Sequence, residues 1–329
     1  MSNCVDVSGR ARYGIWDVVK IILAVGLLGY VFTRTDFGQL TGMVYRMSPA
    51  WLALNFVLLA GLTGLKALQY HYITGRRSTY SRVLGIVVVQ NALTNFVAST
   101  AGIVSYLGMM SAEKDVRLSR ATASFLIVKI ADLAAVLVFL VIFCIFQQPV
   151  PASLARVIWV VGGLAFAVIV AFVGIILFRR QFMHVAQEVL RKTKLDQRAS
   201  VSRIMDILSS LANEESSRIS QVLTRATIFS FLYMAMTLCW GYARLHTFSL
   251  DVDLGVIALV TCLLQLASWA PVFILGGLGV SESIAVYSLV AFGLGQSEVA
   301  AVLIAARLVF YLMNAIMLLY IPLEKLFTQ

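Results

Sequence analysis

The 329 residues are 60% hydrophobic and 13% charged, with a mean hydropathy of +0.89. This apolar content lies well above that of ordinary soluble domains, so it excludes a soluble enzyme and indicates a polytopic membrane protein. The formal net charge of +10 does not indicate nucleic-acid binding here. In a membrane protein the placement of Lys and Arg reports orientation.

Six stretches are apolar enough to be predicted as full membrane spans, since about 20 helical residues cross a hydrocarbon core. The first follows cations in the leading tail, and we expect it to be retained because no small-residue cleavage site follows it. The predicted spans are residues 16–32, 51–70, 121–146, 157–178, 227–245 and 299–321.

The basic residues predict an orientation with both termini in the cytoplasm. They concentrate in the leading tail and in segments 71–82, 113–120 and 179–225, whereas 147–155 and 247–253 contain no Lys or Arg. Cytoplasmic loops carry the excess of cations, so the first group is predicted to be cytoplasmic and the second external. The long 179–225 segment is predicted to be an amphipathic connector on the anionic leaflet, or a solvated helical connector.

Two segments are predicted to be re-entrant helical hairpins, which enter the membrane and leave it on the same side, rather than segments that cross it once or twice. Segment 83–112 must begin and end on the cytoplasmic side to keep the basic connector inside, and 254–294 is its counterpart from the outer side. Broken backbone is tolerated at membrane depth only where protein buries it or it lines a wet cavity. The predicted hairpin tips contain Ser99 and Gly102 in the first hairpin and Pro271, Gly276, Gly277 and Gly279 in the second.

The chain is predicted to be one all-α membrane domain built from inverted repeats, 51–146 and 226–321. Each repeat consists of a span, a hairpin and a second span. When the repeats are aligned with residue 119 over residue 297, "SRATASFLIVK" at 119–129 lies over "SEVAAVLIAAR" at 297–307. The two stretches share a similar apolar pattern, and each ends in a cation.

Ionisable and amide side chains within the apolar segments are the candidate substrate-binding residues, because a charge in a bilayer is costly and usually faces protein or water. One interpretation places the cations Lys129 and Arg307, together with the hairpin tips, around a midplane cavity that accepts an anion, with Glu282 and Asp132 holding or releasing the cations. The alternative is that Lys129 pairs with Asp132 and Arg307 with Glu282, that Lys66 extends to the interface, and that the amides join hairpin to span. The candidates are Lys66, Asn91, Asn95, Lys129, Asp132, Glu282, Arg307, Tyr311 and Asn314.

No pattern predicts catalysis, a metal or a cofactor. The three histidines are scattered, the four cysteines lack metal or redox spacing, and "GGLG" lies in an apolar segment. We therefore expect no enzymatic activity.

Three stretches resemble the flippase-like membrane domain of lysylphosphatidylglycerol synthases and related stand-alone membrane proteins: "LAGLTGLKALQY", "NFVASTAGIVSYLGMMSAEKDVRLSRATASFLIVKIADLAAV" and "APVFILGGLGVSESIAVYSLVAFGLG" with "AAVLIAARLVFY". The family's proline, glycines and glutamate of the second hairpin are matched by Pro271, Gly276, Gly277, Gly279 and Glu282, and its arginine by Arg307. This chain differs in having Val128 where the family has an acid beside the base Lys129. Its first hairpin tip lacks the usual proline and paired glycines.

The resemblance implies lipid handling in a bacterial inner membrane. We expect a translocase that moves a phospholipid or polyprenyl-linked anionic headgroup, without ATP because no nucleotide-binding motif occurs. The synthases' soluble aminoacyl-transferase domain has no counterpart here, so lipid synthesis is not expected. Two alternatives are a secondary transporter of a small anion or amphiphile and a non-transporting partner of an envelope glycosyltransferase, docked through 179–225.

Overall fold

A computed structural model describes residues 47–75, 78–113, 118–147, 149–177, 216–269 and 277–322, together with Gly42 and Tyr45. All regular elements in these ranges are α-helices. They are α1 (Pro49–Ile73), α2 (Tyr80–Phe96), α3 (Ser99–Ala112), α4 (Leu118–Phe146), α5 (Ala152–Leu177), α6 (Ser216–His246), α7 (Leu254–Ala267), α8 (Val280–Ala291) and α9 (Gln296–Met317).

Five helices are long and apolar enough to cross a membrane: Pro49–Ile73, Ala121–Phe146, Ala152–Gly174, Gln221–His246 and Gln296–Pro322. They coincide with five of the six predicted spans. The sixth, at 16–32, lies outside the described residues, as does most of the 179–225 connector. The chain is therefore a multi-pass helical membrane protein, as its sequence predicts.

The two predicted hairpin segments form pairs of shorter helices. Helices α2 and α3 have 17 and 14 residues, and α7 and α8 have 14 and 12. At 1.5 Å per residue, each of the three shortest is about 20 Å long, less than a hydrocarbon core of about 30 Å. These lengths agree with re-entrant hairpins, whose depth and direction in the bilayer stay predictions.

Local sequence signals determine where several of these helices begin. Pro49 occupies the first turn of α1, where its missing N–H is not needed. The Thr79 hydroxyl accepts a hydrogen bond from the Arg82 N–H at 3.4 Å at the start of α2. Asp253 accepts one from the Gly255 N–H at 2.8 Å at the start of α7.

Three apolar clusters hold the helices together. One joins α1, α2, α3 and α4 to Ala226 of α6, a second joins α4, α5, α6 and α7, and a third joins the end of α6 to α7, α8 and α9. Helix α5 lies at the edge and exposes Trp159, Val160 and Leu164, at 81%, 72% and 68% of their surfaces. An apolar surface of this kind suits contact with lipid.

Candidate functional site

The first charged cluster joins α1, α4 and α6 through the carboxylate of Asp132. The Lys66 ammonium lies 2.8 Å from each Asp132 oxygen and donates to Gln69 Oε1 at 2.9 Å. The Ser230 hydroxyl donates to Asp132 Oδ1 at 2.7 Å and accepts from Gln69 Nε2 at 2.9 Å. The ammonium thus has three acceptors around it, and the cluster is electrically balanced.

Two sequence-based interpretations of this region are wrong. Asp132 pairs with Lys66 on α1 rather than with Lys129 three residues before it. Lys66 does not extend to an interface, since its side chain is only 13% exposed within this cluster. Side chains on a helix point toward its N-terminus, so Lys129 extends away from Asp132, which follows it on the same helix.

Lys129 instead lies between aromatic rings. Its ammonium is 5.6 Å from the centre of the Phe125 ring and 5.9 Å from that of Trp269, just after α7. Within the described part of the chain no carboxylate forms an ion pair with it. Lys129 therefore has cation–π contacts where Lys66 has an ion pair.

The second charged cluster surrounds the start of α8. Arg307 Nε lies 2.8 Å from Glu282 Oε1, and its Nη2 donates to the Ser281 hydroxyl at 2.6 Å. Glu282 Oε2 accepts from the Gly279 N–H at 2.8 Å and from the Ser281 hydroxyl at 3.0 Å. The Arg307–Glu282 pair, one of the sequence-based alternatives, is therefore present.

This geometry explains the glycines and the acid of the second hairpin. Gly277 and Gly279 have φ values of +79° and +83°, a region that favours glycine. The Glu282 carboxylate caps the positive end of α8 while it neutralises Arg307. Glycine and glutamate together thus start a helix at a broken point of the chain. Pro271 and Gly276 lie outside the described residues.

A cavity of about 200 Å³ lies beside this cluster, among α6, α7, α8 and α9. Most of its wall is apolar, but two guanidinium groups and several hydroxyl and amide groups border it. The polar residues lining it are Asn95, Thr237, Arg244, Thr261, Gln265, Ser268, Ser281 and Arg307. A cavity with this lining suits an anion that needs several hydrogen-bond donors.

The sequence analysis did not identify Arg244, which lies near the C-terminus of the long helix α6 and within the predicted span 227–245. Its guanidinium carbon lies 5.6 Å from the centre of the Trp240 ring. Its Nε is buried and has no hydrogen-bond partner among the described residues. One signal could have found it, because the repeat alignment that places Lys129 over Arg307 also places Lys66 over Arg244.

The predicted amide residues join the first hairpin to neighbouring spans. Asn91 Nδ2 donates to the Thr63 hydroxyl at 3.3 Å, and Asn95 Nδ2 donates to Asn314 Oδ1 at 3.1 Å. The ring of Tyr311 lies 5.5 Å from the Arg307 guanidinium. Asn91 therefore has a hairpin-to-span role, whereas Asn95 also borders the cavity.

The first hairpin turns at Val97 and Ala98, directly before the predicted tip residue Ser99. Gly102 lies where α2 and α3 approach each other closely. A Cβ at Gly102 would overlap the Thr94 side chain and lie 2.8 Å from the Gln90 carbonyl oxygen. This glycine therefore permits the contact between α2 and α3, as expected for a hairpin of tightly packed helices.

The family model described as the lysylphosphatidylglycerol synthase TM region matches residues 18–317. The chain belongs to this family. The membrane helices and the family match together establish an integral, multi-pass membrane protein of this kind. Comparisons with curated proteins and with solved structures give no match. Among the described residues no group of three His, Cys, Asp or Glu side chains is placed to hold a metal ion.

Proposed function

We propose that this lysylphosphatidylglycerol synthase TM-region protein is a lipid translocase of a bacterial inner membrane. It would move a phospholipid or a polyprenyl-linked lipid by passing the anionic headgroup through the cavity among α6, α7, α8 and α9. The observation that carries the proposal is the presence of Arg244 and Arg307 on the wall of a mostly apolar cavity.

The charges around the cavity support binding of an anion. Of the cavity's described neighbours, Glu282 is paired with Arg307, so the guanidinium of Arg244 leaves the site with a net positive charge. A buried cation is costly in an apolar surrounding unless it meets an anion or water. A phosphate group entering the cavity would supply charge-assisted hydrogen bonds to a guanidinium, whose planar geometry suits phosphate oxygens.

The arrangement of helices supports the predicted inverted repeats. The alignment that places residue 119 over residue 297 also places Leu118, the start of α4, over Gln296, the start of α9. It places Ser99, the start of α3, over Gly277, just before α8. In transporters built from such repeats, substrates bind where the repeats meet and where helices are broken. The cavity agrees with the second part of this pattern, since it lies beside the start of α8, and apart from Asn95 its lining comes from the second repeat.

Leu264→Trp tests whether this cavity carries the lipid, because Leu264 lines it and a larger side chain would fill part of its volume. The assay uses proteoliposomes with fluorescent phospholipids or polyprenyl phosphates and a quencher confined to the outside. We expect wild-type protein to move labelled headgroups between leaflets and Leu264→Trp to slow this at least fivefold.

Leu164→Trp is the matched control, since Leu164 lies on the exposed face of α5. It should translocate lipid at the wild-type rate. Absence of translocation by the wild-type protein with every lipid would contradict the proposed function. Equal rates for Leu264→Trp and Leu164→Trp would show that lipid does not pass through this cavity.

The size of the cavity favours one alternative, the transport of a small anion. A volume of about 200 Å³ is below the roughly 300–1,000 Å³ of a typical ligand pocket, so it holds a phosphate-sized group more readily than a large headgroup. Proteoliposomes loaded with radiolabelled phosphate distinguish the two. Efflux of phosphate without lipid movement would favour the small-anion transporter.

A further inference from the structure

Two side chains on one face of α6, Trp240 and Arg244, carry buried donor groups that have no acceptor. Both residues line the cavity, and their spacing of four residues places them on the same face of the helix. The Nε1 of Trp240 and the Nε of Arg244 are buried, and neither has a hydrogen-bond partner among the described residues. Both side chains can only donate. Buried donors without acceptors are rare, so this α6 pair indicates a ligand that brings acceptor atoms.

Ring contacts hold the α6 pair in position. The guanidinium carbon of Arg244 lies 5.6 Å from the centre of the Trp240 ring. On α9, the ring of Phe310 lies 5.7 Å from that of Trp240. Contacts of this kind orient the two side chains, but they provide no acceptor oxygen for the N–H groups. The donors are therefore placed before any ligand binds.

Neighbouring polar groups of the cavity already have partners within the protein. Arg307 is paired with Glu282 and donates to the Ser281 hydroxyl. The hydroxyls of Thr237 and Ser268 donate to backbone carbonyls of the preceding helical turn, each at 2.7 Å. The α6 pair differs from these neighbours because it offers N–H groups that no acceptor among the described residues uses.

The charges at the cavity indicate a ligand with one negative charge. The lining contains the guanidinium groups of Arg244 and Arg307, and Glu282 neutralises the second of them. One positive charge is left. A ligand with two negative charges would bring one uncompensated charge into a mostly apolar cavity beside the Glu282 carboxylate, which is costly. A ligand with one negative charge leaves the site neutral.

We infer that Trp240 and Arg244 form a subsite for a singly charged phosphodiester, and that their N–H groups donate to its two unesterified oxygens. A phosphodiester has one charge and two such oxygens, and hydrogen bonds to them are charge-assisted. Arg307 stays with Glu282 and Ser281 at the start of α8. The inference rests on the proposed function, because it names the class of headgroup that the same cavity takes and the residues that hold it.

Binding in detergent tests the inference without requiring transport. The protein is held in dodecyl maltoside micelles, which contain no phosphate, and binding of radiolabelled short-chain phosphatidylglycerol is measured at pH 8. Phosphatidic acid with the same chains is the competitor, because its phosphate monoester carries almost two charges at this pH. We expect phosphatidylglycerol to bind at least tenfold more tightly than phosphatidic acid.

The pH dependence of this preference tests the role of charge. At pH 6 about half of the phosphatidic acid carries a single charge, so its affinity should rise and most of the difference between the two lipids should disappear. Phosphatidylglycerol keeps one charge at both pH values, and its affinity should stay the same. It therefore controls for any titration of the protein itself.

Two variants test the two donors separately. Trp240→Phe keeps an aromatic ring beside Arg244 and removes the indole N–H, so it should weaken binding of phosphatidylglycerol at least fivefold. Arg244→Gln removes the charge and should weaken it at least tenfold. The matched controls are Trp159→Phe and Arg156→Gln on α5, where both side chains are exposed and neither lines the cavity. These controls should bind like the wild type.

The inference is wrong if the wild type does not bind phosphatidylglycerol more tightly than phosphatidic acid at pH 8, or if Trp240→Phe or Arg244→Gln binds it with unchanged affinity. If a variant fails to fold, the wild-type comparison at the two pH values decides alone. Dimethyl phosphate, a phosphodiester without chains, identifies the source of the group. If it competes as well as phosphatidylglycerol, the subsite stands and the lipid function fails. Selective binding without lipid movement in proteoliposomes likewise contradicts only the proposed function.

Discussion

Replacing Lys66 by methionine removes the ammonium that holds the carboxylate of Asp132, and it should destabilise the protein far more than Lys129→Met does. Lys66 lies 2.8 Å from both oxygens of Asp132, and the two side chains are only 13% and 16% exposed. Methionine is close to lysine in shape and apolar, so the change mainly removes charge. Asp132 then keeps the Ser230 hydroxyl as its nearest donor.

The expected loss of stability follows from leaving the charged Asp132 carboxylate without its ion-pair partner. Breaking a buried ion pair by removing one partner costs about 3–5 kcal/mol. Lys129→Met loses only cation–π contacts, worth about 1 kcal/mol, and removes a cation from an apolar surrounding. The two variants should therefore differ by about 2–4 kcal/mol.

Unfolding by SDS in mixed micelles, followed by tryptophan fluorescence, measures both free energies against the wild type. Asp132→Asn in the Lys66→Met background removes the unpaired carboxylate and should recover most of the lost stability. Equal destabilisation by Lys66→Met and Lys129→Met would refute the assignment of Asp132 to Lys66. Failure of Asp132→Asn to recover stability would show that the penalty does not come from an unpaired carboxylate.

Gly102→Ala should lower the melting temperature, because the new Cβ would lie 2.8 Å from the Gln90 carbonyl oxygen. Gly108→Ala on the same helix meets nothing within 4 Å and should be neutral or stabilising by up to about 1 kcal/mol; equal effects would contradict the close approach. Glu282→Gln removes the charge that neutralises Arg307 and should lower both stability and lipid movement, whereas unchanged stability would contradict a structural role for the pair.

The overall fold was predictable from the sequence because apolar length and the distribution of basic residues are strong signals in membrane proteins. Five predicted spans coincide with described helices, and the family resemblance is confirmed over 18–317. Length and the distribution of basic loops singled out the segments that form pairs of short helices, and their re-entrant course stays a prediction. The predicted connector at 179–225 lies mostly outside the described residues, and the orientation in the membrane stays a prediction.

The partners of the intramembrane charges were only partly predictable. Glu282 follows a glycine turn and precedes the span with Arg307, so its pairing was one of two interpretations that the sequence allowed. The partner of Asp132 depends on how α1 packs against α4, which spacing along one helix does not reveal. Arg244 was missed because it lies at the end of a span, where an arginine commonly extends to the interface and does not by itself indicate a site.

The sequence interpretation made Lys129 and Arg307 the substrate-binding pair, whereas the placement of the two acids makes these two cations unequal. Those two are equivalent by position, on α4 and α9, but they are not equivalent by charge, because Arg307 has a carboxylate partner and Lys129 has none among the described residues. A substrate site needs cations whose charge is still available. Arg244 borders the cavity and has no carboxylate partner among the described residues, so it meets this condition although its position in the sequence did not reveal it.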